Sequence, residues 1–480
     1  MPSGYSGVRA TPSEKNNVSW GRFSWHVSAI LPVSSLEPSP FAIINKEMIC
    51  LDLRIEQARC LRGDISVPGD KSISHRAVII GALAEGETVA ENFSAGEDCL
   101  STIDCYRKLG IEITGPQGGV VRIAGRGLDG LREPGDILDA GNSGTTMRLS
   151  LGILAGQPFF SVITGDNSLR RRPMARVTDP LKRMGAVIEG RKGGSCAPLA
   201  VRGGPLKAVA HISPVASAQV KSAILLAGLF ADGQTSVTEP YRSRDHTEVM
   251  LNYFGAAPGI EGNTVYIDGR PQLTGKKIRV AGDISSAAFL LTAAALTPGS
   301  DLTIRGLGIN PTRSGIIDVL EMMGADIRKF NLREDGGEPV ADIRVRYAGR
   351  LRGVNIGGEI IPRLIDEIPV LAVAAAAAEG KTEIRDAAEL KVKESNRIAA
   401  VARLLSGFGA DVAELEDGLM IRGGRVFAGC FCDSHGDHRI AMAAAVAGLT
   451  AKGTTVVRGA ECIEVSFPGF SELLKDVTIK

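Results

Sequence analysis

The 480-residue sequence lacks a large net charge of either sign, a long apolar run and a regular spacing of its cysteines. A formal charge of +1 gives no global field that would attract nucleic acid or a membrane surface. No apolar stretch approaches the roughly 18 residues that a membrane-spanning helix needs. The eight scattered cysteines predict reduced thiols, as in a cytoplasmic protein, rather than a disulfide framework. We therefore expect any anion site to be a local concentration of Lys and Arg.

Length and composition are typical of a soluble α/β protein with two or three domains. The chain is 44% hydrophobic and 23% charged, and it contains 58 glycines. Residues 1–47 differ from the rest because they hold both tryptophans and many Ser and Pro residues. We interpret them as a disordered extension or a mis-assigned start, with the first domain opening near Met48. A transit peptide would fit this composition only in part.

Cys430, Cys432, His435 and His438 raise the question of a zinc site. Zinc ligands usually follow the spacing Cys-x2–4-Cys, whereas Cys-x-Cys places alternate residues on one face of a strand. The sequence therefore predicts a strand at this position and no metal.

One unit recurs six times along the chain. Each copy has a polar head, a run of helical length that is apolar on nearly every side, a Gly and a short β-type run, which together predict a buried helix followed by a strand. The glycines, which we expect to stop the helices, are Gly86, Gly156, Gly233, Gly299, Gly380 and Gly453. The copies are "GDKSISHRAVIIGALAEGETVAEN", "GNSGTTMRLSLGILAGQPFFSVIT", "SPVASAQVKSAILLAGLFADGQTSVTE", "GDISSAAFLLTAAALTPGSDLTIRG", "RLIDEIPVLAVAAAAAEGKTEIRD" and "GDHRIAMAAAVAGLTAKGTTVVRG".

A second helix follows the β-type run in most copies. It is amphipathic and ends in an apolar residue plus Gly, as at Leu109-Gly110, so we expect it to face solvent. Each unit is then β-α-β-α-β-β, and six units make two domains of three. The polar heads lie at the N-termini of the buried helices, where free N–H groups and the helix dipole favour anions. If both domains point these ends at one cleft, the heads form a single anion site.

Cations and carboxylates recur at these heads and in two further stretches, "GDNSLRRRPMAR" and "LKVKESNRI". Arg binds phosphate and carboxylate bidentately and Lys acts as a point charge, so the pattern predicts substrates with several negative charges. Asp366 and Glu394 are the obvious carboxylates beside these cations, as an acid/base pair requires. Taken singly, each residue could be a helix cap or a solvated charge. Their recurrence at equivalent helix ends favours a site.

Seven stretches occur in this order along the chain: "PGDKSISHR", "GNSGTTMR", "GDNSLRRRPM", "SAQVKS", "LIDEIP", "VKESNR" and "GDHRIAM". Through these stretches the sequence resembles the EPSP synthase (3-phosphoshikimate 1-carboxyvinyltransferase) family, from about Leu51 to Lys480. The resemblance implies the enolpyruvyl transferase fold, an inside-out α/β barrel with two domains of three repeats and the active site in the cleft between them. Crossovers near Gly69-Asp70 and Gly282-Asp283 would give one domain of residues 48–69 plus 283–480 and another of residues 70–282.

The resemblance also implies the reaction and the residues of its site. Members transfer the enolpyruvyl group of phosphoenolpyruvate to the 5-hydroxyl of shikimate 3-phosphate and release phosphate, in the shikimate pathway to chorismate and the aromatic amino acids. By this similarity the shikimate 3-phosphate site consists of Lys71, Ser72, Arg76, Ser217, Ala218, Gln219, Arg244, Asp366 and Lys393. The phosphoenolpyruvate site consists of Lys71, Gly144, Arg172, Gln219, Arg397 and Arg439.

Three residues receive catalytic roles from the resemblance. Glu394 is expected to donate and later remove the carbon 3 proton of phosphoenolpyruvate, which requires that burial raise its pKa. Asp366 is expected to accept the hydroxyl proton, and Lys71 to hold the anions. No metal or cofactor and no nucleic-acid or membrane partner is expected, and the protein is predicted to be a cytoplasmic monomer.

Two alternative functions and one departure from the family pattern accompany this interpretation. The sister enzyme that acts on UDP-N-acetylglucosamine shares the fold but lacks the "KSxSxR" head and commonly uses a reactive Cys. A catalytically inactive, anion-binding scaffold is the other alternative. "GDKS", "SAQVK", "RDHTE" and "NPTR" look like the branch called class II. Glyphosate-tolerant class II relatives carry Ala where this chain has Gly144, so we expect this chain to be inhibited more readily.

Overall fold

Residues 52–480 are described by the structure, which is a computed structural model, and the extension predicted at residues 1–47 lies outside them. The helices are α1 (Lys71–Leu83), α2 (Glu97–Lys108), α3 (Gly144–Ala155), α4 (Ala175–Met184), α5 (Arg191–Gly194), α6 (Ala218–Gly228), α7 (His246–Phe254), α8 (Ile284–Leu296), α9 (Gly315–Met322), α10 (Ile361–Leu364), α11 (Ile368–Ala377), α12 (Arg397–Gly407), α13 (His438–Thr450) and α14 (Phe470–Val477).

The strands alternate with the helices along the whole described chain. They are β1 (Leu53–Ile55), β2 (Cys60–Ser66), β3 (Glu85–Glu91), β4 (Glu112–Gln117), β5 (Val120–Arg126), β6 (Leu138–Asp139), β7 (Phe160–Thr164), β8 (Val187–Gly190), β9 (Cys196–Arg202), β10 (Leu206–Lys207), β11 (Ala210–Ile212), β12 (Ala231–Asp232), β13 (Gln234–Thr238), β14 (Gly259–Glu261), β15 (Thr264–Asp268), β16 (Lys277–Arg279), β17 (Asp301–Gly308), β18 (Asp326–Asp335), β19 (Glu338–Arg346), β20 (Asn355–Ile356), β21 (Lys381–Ile384), β22 (Asp411–Glu414), β23 (Leu419–Arg422), β24 (Phe431–Asp433), β25 (Thr455–Arg458) and β26 (Thr478–Ile479).

The predicted buried helices are α1, α3, α6, α8, α11 and α13, and their burial is confirmed. In α8 every residue from Ile284 to Ala295 is buried, because a helix without a polar face must be surrounded by protein. Of the predicted stop glycines, Gly156 directly follows α3 as expected, although with φ of −90°, whereas the other five lie beyond the ends of their helices. Helix α1 ends at Leu83 with Ala84 extended, and Gly86 lies in β3 with φ of 90°. The left-handed glycine at a helix end is instead found after the amphipathic helices, as at Gly185 after α4.

Four sheets repeat one strand order. In β6-β7-β9-β8, β11-β13-β15-β14, β20-β21-β23-β22 and β16-β3-β5-β4 the first pair is parallel and the other two pairs are antiparallel. This recurrence is the β-α-β-α-β-β unit that the sequence repeat predicts. The Cys-x-Cys segment also forms its predicted strand, β24.

Two strands are exchanged where the chain passes between its two halves. Strand β2 precedes α1 but pairs with β17 in a five-stranded sheet, whereas β16 precedes α8 but pairs with β3. The two connecting segments touch at a bridge between Gly69 and Gly282. A Cβ at Gly69 would lie 1.8 Å from the carbonyl oxygen of Asn92, so the close approach requires glycine.

The buried apolar residues form two separate clusters. One consists of residues between Ile55 and Val67 together with residues between Ile284 and Val477. The other consists of residues between Ile73 and Ala281, with Val340 added. Within residues 52–480, none of the helices combines the length and the apolar character that crossing a bilayer requires.

Candidate active site

Most helices around the cleft begin with a side-chain cap. Asp70, Ser143, Asp283, Asn396 and Asp437 accept hydrogen bonds from backbone N–H groups of the first turns of α1, α3, α8, α12 and α13. The capping explanation of the polar heads is therefore correct for these residues. The side chains next to the caps project into the cleft, so capping and the anion site use different residues of the same heads.

Two adjoining cavities of about 120 Å³ and 410 Å³ form the cleft. They share Arg148, Gln219, Arg244, Asp366 and Lys393, and the larger one has apolar walls as well. All the site residues that the resemblance implies line one or both cavities: Lys71, Ser72, Arg76, Gly144, Arg172, Ser217, Ala218, Gln219, Arg244, Asp366, Lys393, Glu394, Arg397 and Arg439.

Asp366 lies among four cations. Its carboxylate is 3.2 Å from Lys393 Nζ and 3.3 Å from Arg397 Nη1, and Arg244 donates a hydrogen bond to it. Arg439 donates to its backbone carbonyl at 3.0 Å. Burial favours a higher pKa for Asp366, but Arg244, Lys393, Arg439 and Arg397 outweigh it and hold the pKa well below its ordinary value. Asp366 is thus an ionised carboxylate, as a proton acceptor must be.

Glu394 is also ionised in this structure, which corrects the expectation of a raised pKa. Arg397 Nη2 donates to Glu394 Oε2 at 2.6 Å, and Arg172 Nη1 lies 3.5 Å from Glu394 Oε1. Burial would raise the pKa of Glu394, but Arg397 and Arg172, with His438 nearby, hold it well below its ordinary value. The prediction considered burial and omitted the cations that the fold places against this carboxylate.

Arg397 connects three carboxylates and is 1% exposed. Its guanidinium donates to Asp437 at 2.8 and 3.2 Å, to Glu394 at 2.6 Å and to Asp366 at 3.3 Å. Because Asp437 also caps α13, one arginine ties the start of that helix to both candidate catalytic carboxylates.

Sequence reasoning missed several residues of the cleft. Asp98 lies 3.0 Å from Lys71 Nζ. Burial alone would lower the pKa of Lys71, but Asp98 outweighs it, so the pKa lies above its ordinary value and Lys71 is charged. Arg148 donates to Gln219, and it lies one turn after Gly144 on the same helix face, a spacing that could have indicated it. No local pattern indicates Asp98.

The stretches "RDHTE" and "NPTR" are linked by hydrogen bonds beside the cleft. Asn310 Nδ2 donates to Asp245 at 2.7 Å and to Glu338 at 2.9 Å. His246 Nδ1 lies 2.7 Å from Glu338, and burial and Glu338 act oppositely on its pKa, which is raised. These hydrogen bonds fix Arg244, which precedes Asp245, against Asp366.

The residues considered for zinc do not converge on one point, although Cys430 Sγ and Cys432 Sγ lie 3.4 Å apart. Cys432 is buried, His435 is exposed and His438 lines the cleft, where burial and Lys71 lower its pKa to about 3. Among residues 52–480, no group of three or more His, Cys, Asp or Glu side chains is arranged to hold a metal ion.

Comparisons with known proteins agree with this geometry. The sequence model of the family "EPSP synthase (3-phosphoshikimate 1-carboxyvinyltransferase)" matches residues 55–474. The 3-phosphoshikimate 1-carboxyvinyltransferase of Pelotomaculum thermopropionicum is 71% identical over 89% of this chain and 99% of its own, and that of Desulforamulus reducens is 61% identical over 90% and 100%. The solved EPSP synthase of Acinetobacter baumannii is 46% identical with a TM-score of 0.81 over 89% of this chain and 98% of its own. This chain therefore belongs to the EPSP synthase family.

Proposed function

We propose that the cleft transfers the enolpyruvyl group of phosphoenolpyruvate to the 5-hydroxyl of shikimate 3-phosphate and releases phosphate. The observation that carries this proposal is the pair of ionised carboxylates, Asp366 and Glu394, held among cations at the ends of buried helices. Family membership makes the chain a transferase and does not favour the sister enzyme or an inactive scaffold.

Asp366 is suited to accept the proton of the attacking hydroxyl. Lys393 and Arg244 contact its carboxylate. When these two cations bind shikimate 3-phosphate, that substrate therefore lies next to the proton acceptor, Asp366. As the hydroxyl oxygen adds to carbon 2 of phosphoenolpyruvate, its proton passes to Asp366 and carbon 3 gains a proton from Glu394. The bond between carbon 2 and the phosphate oxygen then breaks, and the phosphate leaves with the proton that Asp366 had accepted. Glu394 recovers the carbon 3 proton as the double bond re-forms.

Glu394 must hold a proton before the first step, although it is ionised in the structure. Arg397 and Arg172 keep its pKa low, and both belong to the proposed phosphoenolpyruvate site. When the phosphate and carboxylate of that substrate pair with these arginines, they offset the charge that depresses the pKa of Glu394. Substrate binding thus raises the pKa of Glu394 and allows this residue to hold the proton that it donates.

Phosphate release from the purified full-length chain tests the proposal. We expect release with phosphoenolpyruvate and shikimate 3-phosphate together and none with either alone. Release only when UDP-N-acetylglucosamine replaces shikimate 3-phosphate would indicate the sister activity. No release with either acceptor would indicate an inactive scaffold.

The same proposal covers the domain limits and the setting of the enzyme. Residues 48–69 with 283–480 are proposed as one three-repeat domain and residues 70–282 as the other, with residues 48–51 outside the described part of the chain. The two separate apolar clusters support this division. A cytoplasmic monomer remains our prediction. Its proposed partners are the two small anionic substrates, and no nucleic-acid or membrane partner is predicted.

Replacing Gly144 by Ala is expected to weaken glyphosate more than phosphoenolpyruvate. A Cβ at this position would lie 2.8 Å from Arg148 Nη1 and 3.4 Å from Arg172 Nη1, so it enters the space between two anion-binding side chains. Glyphosate is longer than phosphoenolpyruvate, so its affinity should fall about tenfold or more relative to that of phosphoenolpyruvate, as expected for one methyl group in a shaped pocket. The inhibition constant for glyphosate and the KM for phosphoenolpyruvate, measured for both forms, give the ratio. An unchanged ratio would remove Gly144 as the discriminating position.

A further inference from the structure

Glu239 is a buried carboxylate that the proposed reaction does not use. It follows β13 directly and is 3% exposed. Its Oε1 accepts from the backbone N–H of Ser217 at 2.7 Å, and its Oε2 from the backbone N–H of Ser243 at 3.2 Å. The Ser243 hydroxyl donates to the same carboxylate at 2.6 Å. One side chain therefore fixes two separate stretches of backbone.

Both stretches carry residues of the larger cavity. Ser217 is the N-cap of α6 and precedes Ala218 and Gln219, whereas Ser243 precedes Arg244. The Ser217 side chain accepts no capping bond from α6, unlike the caps of α1, α3, α8, α12 and α13. Glu239 binds the N–H of the N-cap residue itself, so the start of α6 is positioned by a residue from another segment.

Lys221 supplies the charge that Glu239 needs. Its Nζ lies 3.1 Å from Glu239 Oε2, 2.7 Å from Glu248 Oε1 and 3.2 Å from the carbonyl of Ser243. Burial alone would lower the pKa of Lys221, but Glu248 and Glu239 outweigh it, and the pKa lies above its ordinary value. A charged Lys221 offsets the field of Glu239, which would otherwise repel a phosphate bound at the start of α6.

We infer that Glu239, held by Lys221, is a positioning residue that gives the acceptor site its selectivity for a phosphomonoester. It does so by setting the distance between the α6 start and Arg244. This inference rests on the proposed function, because under that proposal the start of α6 and Arg244 both belong to the shikimate 3-phosphate site. Glu239 itself touches no substrate.

Glu239→Gln tests the inference with little change in shape. The substitution replaces one acceptor oxygen by a donor NH2 group. That group then faces another donor, which is the N–H of Ser217, the N–H of Ser243 or the ammonium of Lys221. We expect the Kd of shikimate 3-phosphate, measured by titration calorimetry, to rise about tenfold, as when a hydrogen bond to a charged group is lost. The Kd of unphosphorylated shikimate, measured by competition, should stay within about twofold.

Asp342→Asn is the matched control. Asp342 is also 3% exposed and also accepts from a backbone N–H, that of Gly306 at 2.8 Å, and from an arginine, but it does not line the cleft. The Asp342→Asn variant should be less stable than the wild type. The ratio of its Kd for shikimate 3-phosphate to its Kd for shikimate should be unchanged. Glu239→Asp keeps the charge opposite Lys221 and shortens the reach, so it carries the test if the Gln variant does not fold.

The outcomes separate this inference from the function on which it rests. A wild-type chain that releases no phosphate would overturn the proposed function and, with it, the inference. An active wild type whose Glu239 variants weaken shikimate and shikimate 3-phosphate equally would overturn the inference alone, since a merely structural carboxylate would act on both. A selective loss of the phosphorylated ligand supports it.

Discussion

Glu394→Gln and Asp366→Asn are each expected to lower kcat by about 10²–10⁴-fold, the usual contribution of a general acid or base. Both substitutions keep the shape of the side chain and remove only its ability to exchange a proton. Glu394 stays beside Arg397 and Arg172, and Asp366 beside Lys393, so the anions should still bind. Steady-state phosphate release and the thermal midpoint of each variant measure the two effects.

Asp318→Asn is the control for these variants. Its carboxylate is paired with Arg363 at 2.5 Å and is 34% exposed, which is comparable to Glu394 at 25%, but it lies outside the cleft. It should leave kcat unchanged. If Glu394→Gln or Asp366→Asn retained more than about a tenth of the wild-type kcat, a loss below the range of acid/base catalysis, that residue would not be the proton carrier.

Arg397→Met is expected to destabilise the fold by about 3–5 kcal/mol, because it leaves the fully buried carboxylate of Asp437 without its partner. Glu394 and Asp366 lose a neighbouring cation in the same variant. Denaturant unfolding measures the change. Arg344→Met breaks a surface pair with Asp301 at 2.6 Å and should cost less than about 1 kcal/mol. Equal losses in the two variants would contradict a special role for Arg397.

The pH dependence of stability should change shape in Arg397→Met. In the wild type, the pKa values of Asp366, Glu394 and Asp437 are held below their ordinary values, so they contribute stability above the unfolded-state pKa that is lost as the pH falls through the folded values. Without Arg397, buried Asp437 should have a raised pKa. The free energy of unfolding of Arg397→Met should then increase as the pH falls from neutral toward the pKa values of its carboxylates. Unfolding curves across that range give the sign, and parallel profiles would contradict the prediction.

The sequence predicted what depends on local pattern and failed where distant side chains meet. The all-round apolar run of α8 could be interpreted without any knowledge of its neighbours, and it is buried as expected. The raised pKa expected for Glu394 was wrong because two cations outweigh burial: Arg397, only three positions along the chain, and then Arg172, more than 200 positions away. Asp98 beside Lys71 and Glu239 beside Ser217 are likewise set by tertiary packing, and no spacing in the sequence indicates either pair.

The exchange of β2 and β16 between sheets imposes an order on the folding of the chain. Strand β2 pairs with β17, and Leu61 N–H donates to Ser300 Oγ across 239 positions, so closing that loop directly would be slow. The residues between them have their own apolar cluster, and the pairing of β16 with β3 brings their two ends to the bridge at Gly69 and Gly282. During synthesis on the ribosome, β2 emerges first yet must wait for the inserted segment to fold. Once folded, that segment brings β17 close to β2, with which it pairs.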